Sequence, residues 1–176
     1  MRNHYGGLYK SVIGDIGIMI YKDKIINIEL FNEETQHSLH SIEMYKLLEE
    51  NHISKQAIKA LTLYLSGSIP LNMKSNSMFL LSIPLYMQGT SFQKDVWNTL
   101  MYIPHGETRS YKDIANILGK PNAMRAVGNA CKKNPILFFI PCHRVVSHNG
   151  KIGGYRAGLD TKKHLLTLEA QTKHRF

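Results

Sequence analysis

The N-terminal part of the chain alternates hydrophobic and polar positions between turn residues. Residues 9–31, YKSVIGDIGIMIYKDKIINIELF, carry β-branched and aromatic side chains between a Gly-Asp and a Lys-Asp-Lys turn signal. An alternation with a period of two residues is typical of half-buried strands. The pattern therefore predicts two or three short antiparallel strands.

Helical spacing replaces this alternation further along, in KQAIKALTLYLSG. The hydrophobic residues recur every three or four positions, and Gly67 favours the end of the helix. The scattered His37, His40 and His52 show no ligand spacing and are interpreted as surface residues. The Met-, Ser- and Pro-rich stretch 72–89 then predicts a connector, which divides the chain into domains 1–86 and 87–176.

Three helices with recognisable start and stop signals follow in the second domain. Thr90 with Gln93, and Ser110 with Asp113, have the spacing of capping boxes, in which a side chain accepts from the backbone three residues on. The first box opens FQKDVWNTLMYI and the second opens YKDIANIL, which Gly119 ends. The third helix, AMRAVGNACKK, stops before Asn-Pro.

The second and third of these helices form a helix-turn-helix pattern or an ordinary helical hairpin, and their spacing leaves both interpretations open. Small residues on the third helix let it approach a nucleic acid closely, and Arg125, Lys132 and Lys133 can meet phosphates or bases. The distribution of charged residues is also uneven between the two halves of the chain. Residues 1–87 carry 8 Lys and Arg against 8 Asp and Glu, and residues 88–176 carry 14 against 5. A one-sided excess indicates a polyanion partner or a solvated basic surface.

The bulk sequence indicates a cytoplasmic protein without a membrane anchor. No stretch approaches the length of a membrane span, and the first ten residues lack the apolar segment of a signal peptide. The two cysteines, Cys131 and Cys142, are expected to be free thiols in a reducing compartment.

Cys142 lies in FFIPCHRVV, directly after the short apolar run ILFFI, for which a buried strand or extended segment is predicted. It is therefore a nucleophile, a metal ligand or a small core residue. His143 and Arg144 are unfavourable in such a place unless they are paired. His143 reaches the thiol only if the chain turns there or a water intervenes. Glu169, on the C-terminal helix, is the acid best placed to orient the histidine.

The same residues also allow two other kinds of chemistry. A zinc site is disfavoured, because Cys131, Cys142 and His143 lack paired spacing and a fourth ligand. A cysteine hydrolase remains a rival, although it gives no reason for a basic helix pair.

The stretch IPCHRVV resembles the active-site motif of the O6-alkylguanine-DNA alkyltransferases, the methylated-DNA–protein-cysteine methyltransferases. The resemblance extends over GTSFQKDVWNTLMYIPHGETRSYKDIA, RAVGNACKKNP and HNGKIGGYRAGLDTKKHLL. The first half of the chain is similar to the variable N-terminal domain of that family. The resemblance implies an α/β N-terminal domain of ribonuclease-H-like type, an antiparallel sheet plus helix, followed by a mostly α-helical domain with a winged helix-turn-helix.

The resemblance also implies roles for individual residues. Cys142 would accept the alkyl group, His143 would act as base through a water, Glu169 would orient it, Asn134 would brace the turn and Tyr111 would protonate the leaving guanine. DNA contacts would come from Arg125, which fills the gap left by the flipped nucleotide, and from Ala126, Gly128, Thr90, Ser110 and Lys132. The base pocket would include Val145, Ile152, Tyr155, Arg156, Cys131 and Leu137.

The function implied is direct reversal of DNA damage. The alkyl group of O6-alkylguanine, and of O4-alkylthymine, would pass irreversibly to Cys142, once per molecule and without a cofactor or metal, in double-stranded DNA whose nucleotide is flipped. The chain would be a stand-alone monomer without the zinc domain of the adaptive-response members. The alternative is a lesion sensor that binds alkylated DNA without chemistry.

Overall fold

A three-stranded antiparallel sheet forms the N-terminal part of the computed structural model. The strands are β1 (His4–Ser11), β2 (Gly14–Tyr21) and β3 (Lys24–Phe31), in the order β1-β2-β3. Lys22 and Asp23, with φ of 47° and 57°, form the two-residue turn between β2 and β3. The predicted strands are thereby confirmed. The structure describes residues 4–35, 39–69, 83–147 and 150–175.

Two helices cover the sheet. They are α1 (Leu39–Lys46) and α2 (His52–Leu65). Asn51 caps α2 by accepting from the backbone of Ser54, and Gly67, at φ 70°, follows its end as predicted. His52 is exposed, as predicted, whereas His37 and the side chain of His40 lie outside the described residues.

Four helices make up most of the C-terminal part: α3 (Ser91–Leu100), α4 (Tyr111–Ile117), α5 (Met124–Lys132) and α6 (Leu159–Thr172). Both predicted capping boxes are present, at Thr90 for α3 and at Ser110 for α4. Trp97 of α3 is buried and donates from its indole N–H to the carbonyl of Ala130, 2.9 Å away, which fixes α3 against α5. A short parallel pair, β4 (Arg109–Ser110) with β5 (Val145–Val146), completes this part.

The apolar run 136–140 is buried as predicted, but the prediction of a strand or extended segment is wrong. Ile136 makes a single bridge to Ile28 of β3, and the chain then turns over 137–139. Phe138 lies in the left-handed region at φ 69° and is fully buried. Hydrophobicity predicts burial in either conformation, so the run alone could not reveal the turn.

The N-terminus of α6 is capped by a carboxylate from the other end of the chain. Glu34 accepts from the backbone N–H groups of Asp160 at 3.0 Å and Thr161 at 3.1 Å. Gly158 precedes the helix at φ 94°, and a Cβ there would lie 2.3 Å from Cδ of Glu34. A glycine is therefore required for this approach. No helix in the described parts of the chain is long and apolar enough to cross a membrane.

Replacing Glu34 with alanine should lower the free energy of unfolding by about 1 kcal/mol, because two helix N–H groups lose their acceptor. Urea denaturation measures this change. Glu33→Ala is the matched control, since Glu33 is an exposed neighbour on the same turn. Equal stability of the two variants would show that the interaction does not cap α6.

Candidate active site

The chain turns at Cys142, which brings the thiol and the next two side chains into one buried site. Cys142–Arg144 form a single 3-10 turn after Pro141, and Cys142 is 3% exposed. Asn134 braces this turn: its Nδ2 donates to the carbonyl of Ile140 at 2.8 Å and to Sγ of Cys142 at 3.0 Å. The thiol therefore sits at a fixed place with a hydrogen-bond donor beside it.

Glu169 of α6 is the partner that the buried histidine and arginine require. Nε2 of His143 lies 2.9 Å from Oε1 of Glu169, and Arg144 donates to the same carboxylate from Nε and Nη2. Arg144 also donates to the carbonyl of Ile103 at 2.7 Å, and the backbone N–H of Gly106 donates to Oε2 of Glu169 at 3.1 Å. The predicted orienting acid thus lies against the histidine, and it neutralises the arginine as well.

The tautomer of His143 follows from these contacts. A carboxylate accepts hydrogen bonds and does not donate them, so Nε2 of His143 carries the hydrogen. Nδ1 is buried and has no hydrogen-bond partner within the described part of the chain. This nitrogen is therefore unprotonated and available to take up a proton.

The pKa shifts favour a neutral thiol and a neutral imidazole at rest. Burial raises the pKa of Cys142, against the opposing effects of the Asn134 hydrogen bond and nearby cations. Burial also lowers the pKa of His143, although Glu169 acts in the opposite direction. A protonated thiol with an unprotonated imidazole nearby is the starting state for general-base activation of a nucleophile.

A cavity of about 620 Å³ opens onto the thiol. Its lining combines aromatic, small and cationic residues, namely Tyr111, Gly128, Cys131, Lys132, Cys142, Gly154, Tyr155 and Arg156. Burial raises the pKa of Tyr111 to about 12, so its hydroxyl remains a proton donor at neutral pH. The cavity can hold a flat heterocycle with one end against the sulfur.

Sequence similarity to known proteins identifies the family of this chain. The DNA-binding domain of 6-O-methylguanine DNA methyltransferase matches residues 91–171. The methylated-DNA–protein-cysteine methyltransferase of Methanosarcina barkeri is 45% identical over 122 residues, which cover 69% of this chain and 72% of that protein. The chain belongs to the methylated-DNA–protein-cysteine methyltransferase family. The family and the enzyme activity predicted from the sequence are confirmed.

Solved structures of the family show the same fold. The O6-methylguanine methyltransferase of Mycobacterium tuberculosis has a TM-score of 0.79 at 32% identity, over 96% of this chain and 94% of that one. The structure of the same enzyme in complex with DNA has a TM-score of 0.79 at 31% identity, over 96% of this chain and 93% of that one. The combination of a small antiparallel sheet with helices is therefore a methyltransferase fold, as predicted.

The structure places the predicted pocket residues in two groups. Cys131, Tyr155 and Arg156 line the cavity of this methyltransferase. Leu137 and Val145 are buried in the core instead, and Ile152 is half-buried, so none of these three is among the described residues that line it. The turn over 137–139 accounts for Leu137, whose side chain joins the core.

Some of the residues predicted to contact DNA are exposed in the structure, and others are not. Arg125, Ala126 and Lys132 are exposed on α5, and Thr90 is exposed at the start of α3. Ser110 is buried, and its side chain is used in capping α4. Gly128 faces Tyr111, because a Cβ there would lie 3.7 Å from the tyrosine ring. Gly128 therefore belongs to the cavity wall as well as to α5.

Sequence reasoning missed two buried residues of this site. Lys162 of α6 donates to the carbonyls of Val145 at 2.6 Å and Gly154 at 3.2 Å, and burial lowers its pKa to about 8. Tyr64 of α2 donates to Glu169 at 2.7 Å. Lys162 sits in a lysine pair whose second member, Lys163, is exposed, and nothing in the pattern separates the two. In the described residues, no group of three or more His, Cys, Asp or Glu side chains could hold a metal ion.

Glu169→Gln should remove a pH dependence from the stability of the protein. Burial alone would raise the pKa of Glu169, but His143 and Arg144 outweigh it and hold this pKa well below the usual 4.5. As the pH falls, the Glu169 carboxylate therefore takes up a proton in the unfolded chain before it does so in the folded protein. The stabilisation by this carboxylate is fully present above pH 4.5 and is lost as the pH falls toward the pKa of the folded protein.

Urea denaturation from pH 7 downwards measures this effect. The wild type should lose stability more steeply than Glu169→Gln below about pH 5, and the variant should be about 3 kcal/mol less stable at pH 7. Glu107→Gln, which breaks a partly exposed pair with Arg109, is the control and should change little. Parallel pH profiles for wild type and Glu169→Gln would contradict the assignment.

Proposed function

We propose that this methyltransferase repairs DNA by moving an alkyl group from O6 of guanine onto Sγ of Cys142, once per molecule. The observation that carries the proposal is a buried thiol that lines a cavity, followed in the chain by a histidine whose Nδ1 has no hydrogen-bond partner among the described residues. The Mycobacterium tuberculosis relative was solved in complex with DNA, which supports DNA as the partner.

The proposed reaction is an in-line displacement at the alkyl carbon. His143 takes the thiol proton at Nδ1 through a bridging water, and the sulfur lone pair forms the S–C bond. The C–O6 bond breaks with its electron pair passing to the guanine, which Tyr111 protonates as it leaves. Asn134 and Lys162 stabilise the developing thiolate. The product is a thioether, which water does not hydrolyse, so each molecule reacts once.

The burial of the thiol supports the proposal that the nucleotide leaves the duplex. Cys142 is 3% exposed and lines the cavity, and a guanine stacked in DNA cannot reach a thiol buried in this way. We propose that α4 and α5 act as the helix-turn-helix of a winged domain, with α5 at the DNA. Arg125 then fills the gap in the duplex and offsets part of the free energy of unstacking, which is about a few kcal/mol.

Several finer predictions belong to the same proposal. Duplex DNA with O6-alkylguanine is the substrate, and O4-alkylthymine is a second one. The protein acts as a cytoplasmic monomer, its N-terminal domain is of ribonuclease-H-like type, and the domain boundary lies at residue 86. The alternative, a lesion sensor without chemistry, is disfavoured by the thiol in the cavity and by the orienting contacts of His143.

Incubation with an oligonucleotide containing O6-methylguanine should increase the protein mass by one methyl group and then stop. The gain should be absent in Cys142→Ser and present in Cys131→Ser, the matched control, because both thiols line the cavity but only Cys142 is contacted by Asn134. Intact mass spectrometry and peptide mapping measure this result.

Each other outcome of that experiment identifies a different function. A lesion sensor binds the DNA tightly and leaves the mass of the protein and the methyl group on the DNA unchanged. A hydrolase also gains no mass from the DNA, and in a separate assay it turns over repeatedly on an ester. A gain that moves to Cys131 contradicts the assignment of the acceptor.

Arg125→Ala should slow repair of duplex O6-methylguanine by about tenfold while leaving reaction with the free base nearly unchanged. The reason is that the free base needs no gap in a duplex. Lys133→Ala, at the end of the same helix, is the control and should weaken duplex binding without changing the maximal rate. Single-turnover kinetics on both substrates make the comparison. Equal losses on duplex and free base would contradict the wedge role.

A further inference from the structure

We propose that Tyr64, on the N-terminal helix α2, is a positioning residue for alkyl transfer, which orients the carboxylate that holds His143. The inference rests on the proposed function of Cys142 and His143. It assigns the N-terminal half a direct part in a site whose predicted residues all lie in the second half of the chain.

The contacts of the Tyr64 hydroxyl link it to both the carboxylate of Glu169 and the imidazole of His143. It is fully buried and donates to Oε1 of Glu169 at 2.7 Å. Its oxygen also lies 3.3 Å from Nε2 of His143. Since the hydroxyl hydrogen points to the carboxylate, the oxygen is free to accept from Nε2–H.

Two acceptors therefore share the same imidazole hydrogen, Oε1 of Glu169 at 2.9 Å and the oxygen of Tyr64 at 3.3 Å. Each of these two hydrogen bonds requires the imidazole hydrogen to be on Nε2. Nδ1 of His143 is therefore the nitrogen that can accept a proton. Without the Tyr64 hydroxyl, the carboxylate of Glu169 loses one hydrogen-bond donor. Arg144 contacts both carboxylate oxygens, and its attraction then shifts the carboxylate away from His143. Tyr64 thus sets ring orientation and tautomer together.

The surroundings of the hydroxyl keep it in its donor form. Burial raises the pKa of Tyr64 well above its usual value, and the negative charge of Glu169 acts in the same direction. The ring of His105 packs edge-on against the tyrosine ring at 6.2 Å. The described groups around Glu169 include the imidazole of His143, the guanidinium of Arg144, this hydroxyl and the N–H of Gly106. Nδ1 of His105 also lies 3.7 Å from Oε1 of Glu169.

The position of Tyr64 depends on the sheet. Ala57, Ala60 and Leu61 of α2 are buried in the core. The C-terminal end of α2 contacts α6 through the hydrogen bond from Tyr64 to Glu169. A Cβ at Gly67, just beyond that end, would lie 3.1 Å from Cγ2 of Thr172. The N-terminal sheet and α2 thus act as a rigid support for one hydroxyl group at the reacting site.

Tyr64→Phe removes the hydroxyl and keeps the packing. At saturating DNA it should lower the single-turnover rate of methyl transfer about tenfold and leave the dissociation constant for DNA unchanged. The rate at which iodoacetamide modifies Cys142 should fall by a similar factor. Tyr45→Phe is the matched control, because Tyr45 is equally buried and its hydroxyl accepts from Asn27 in the sheet.

Rates for Tyr64→Phe and Tyr45→Phe that agree within about twofold would overturn the inference. The iodoacetamide reaction keeps this failure separate from failure of the proposed function. If the wild type gains no methyl group from DNA, the proposed function is wrong, and the iodoacetamide rates still decide whether Tyr64 positions the base.

A double variant tests whether Tyr64 acts through Glu169. If it does, Tyr64→Phe should have little further effect in a Glu169→Gln background, since the group that it orients is already lost. An undiminished further loss would show that Tyr64 acts elsewhere and would overturn the positioning role. Melting temperatures of all variants identify any that are slow because they are partly unfolded.

Discussion

The carboxylate of Glu169 is the interaction on which the active site depends. A single buried negative charge neutralises Arg144, fixes the tautomer of His143 and accepts from Tyr64 and the backbone of Gly106. Burying such a charge is unfavourable unless all of these partners are present. The helix that carries Glu169 must therefore be held accurately against the turn that carries the thiol.

The N-terminal sheet provides much of that accuracy. The edge strand β3 pairs with the turn before Cys142, through the N–H of Ile28 to Pro135 and the N–H of Leu137 to Ile28. Glu29 of the same strand forms an ion pair with Arg156 of the cavity wall. Arg156 in turn donates to the carbonyl of Asn134 at 2.7 Å. The sheet thus contacts both the turn that precedes Cys142 and the cavity wall, and it forms part of the site.

Local patterns along the chain predicted most of the elements, because capping boxes, helical spacing and turn residues act over a few positions. The boxes at Thr90 and Ser110 and the stop at Gly119 are examples. The conformation of the run 136–140 does not follow from its own residues. Its apolar residues predict burial, and the turn within it is imposed by contacts with β3 and Asn134, which lie outside the run.

The sequence by itself determined the family, through motifs that extend over most of the second half of the chain. It also predicted that Glu169 contacts His143, because a buried histidine and arginine need an acidic partner and few acids were available. Tertiary structure decided which nitrogen of His143 is basic, which of two lysines is buried, and that Tyr64 reaches Glu169. These depend on distances between residues up to 105 positions apart. No periodicity or spacing along the chain records such distances, because they exist only once the sheet and α6 pack together.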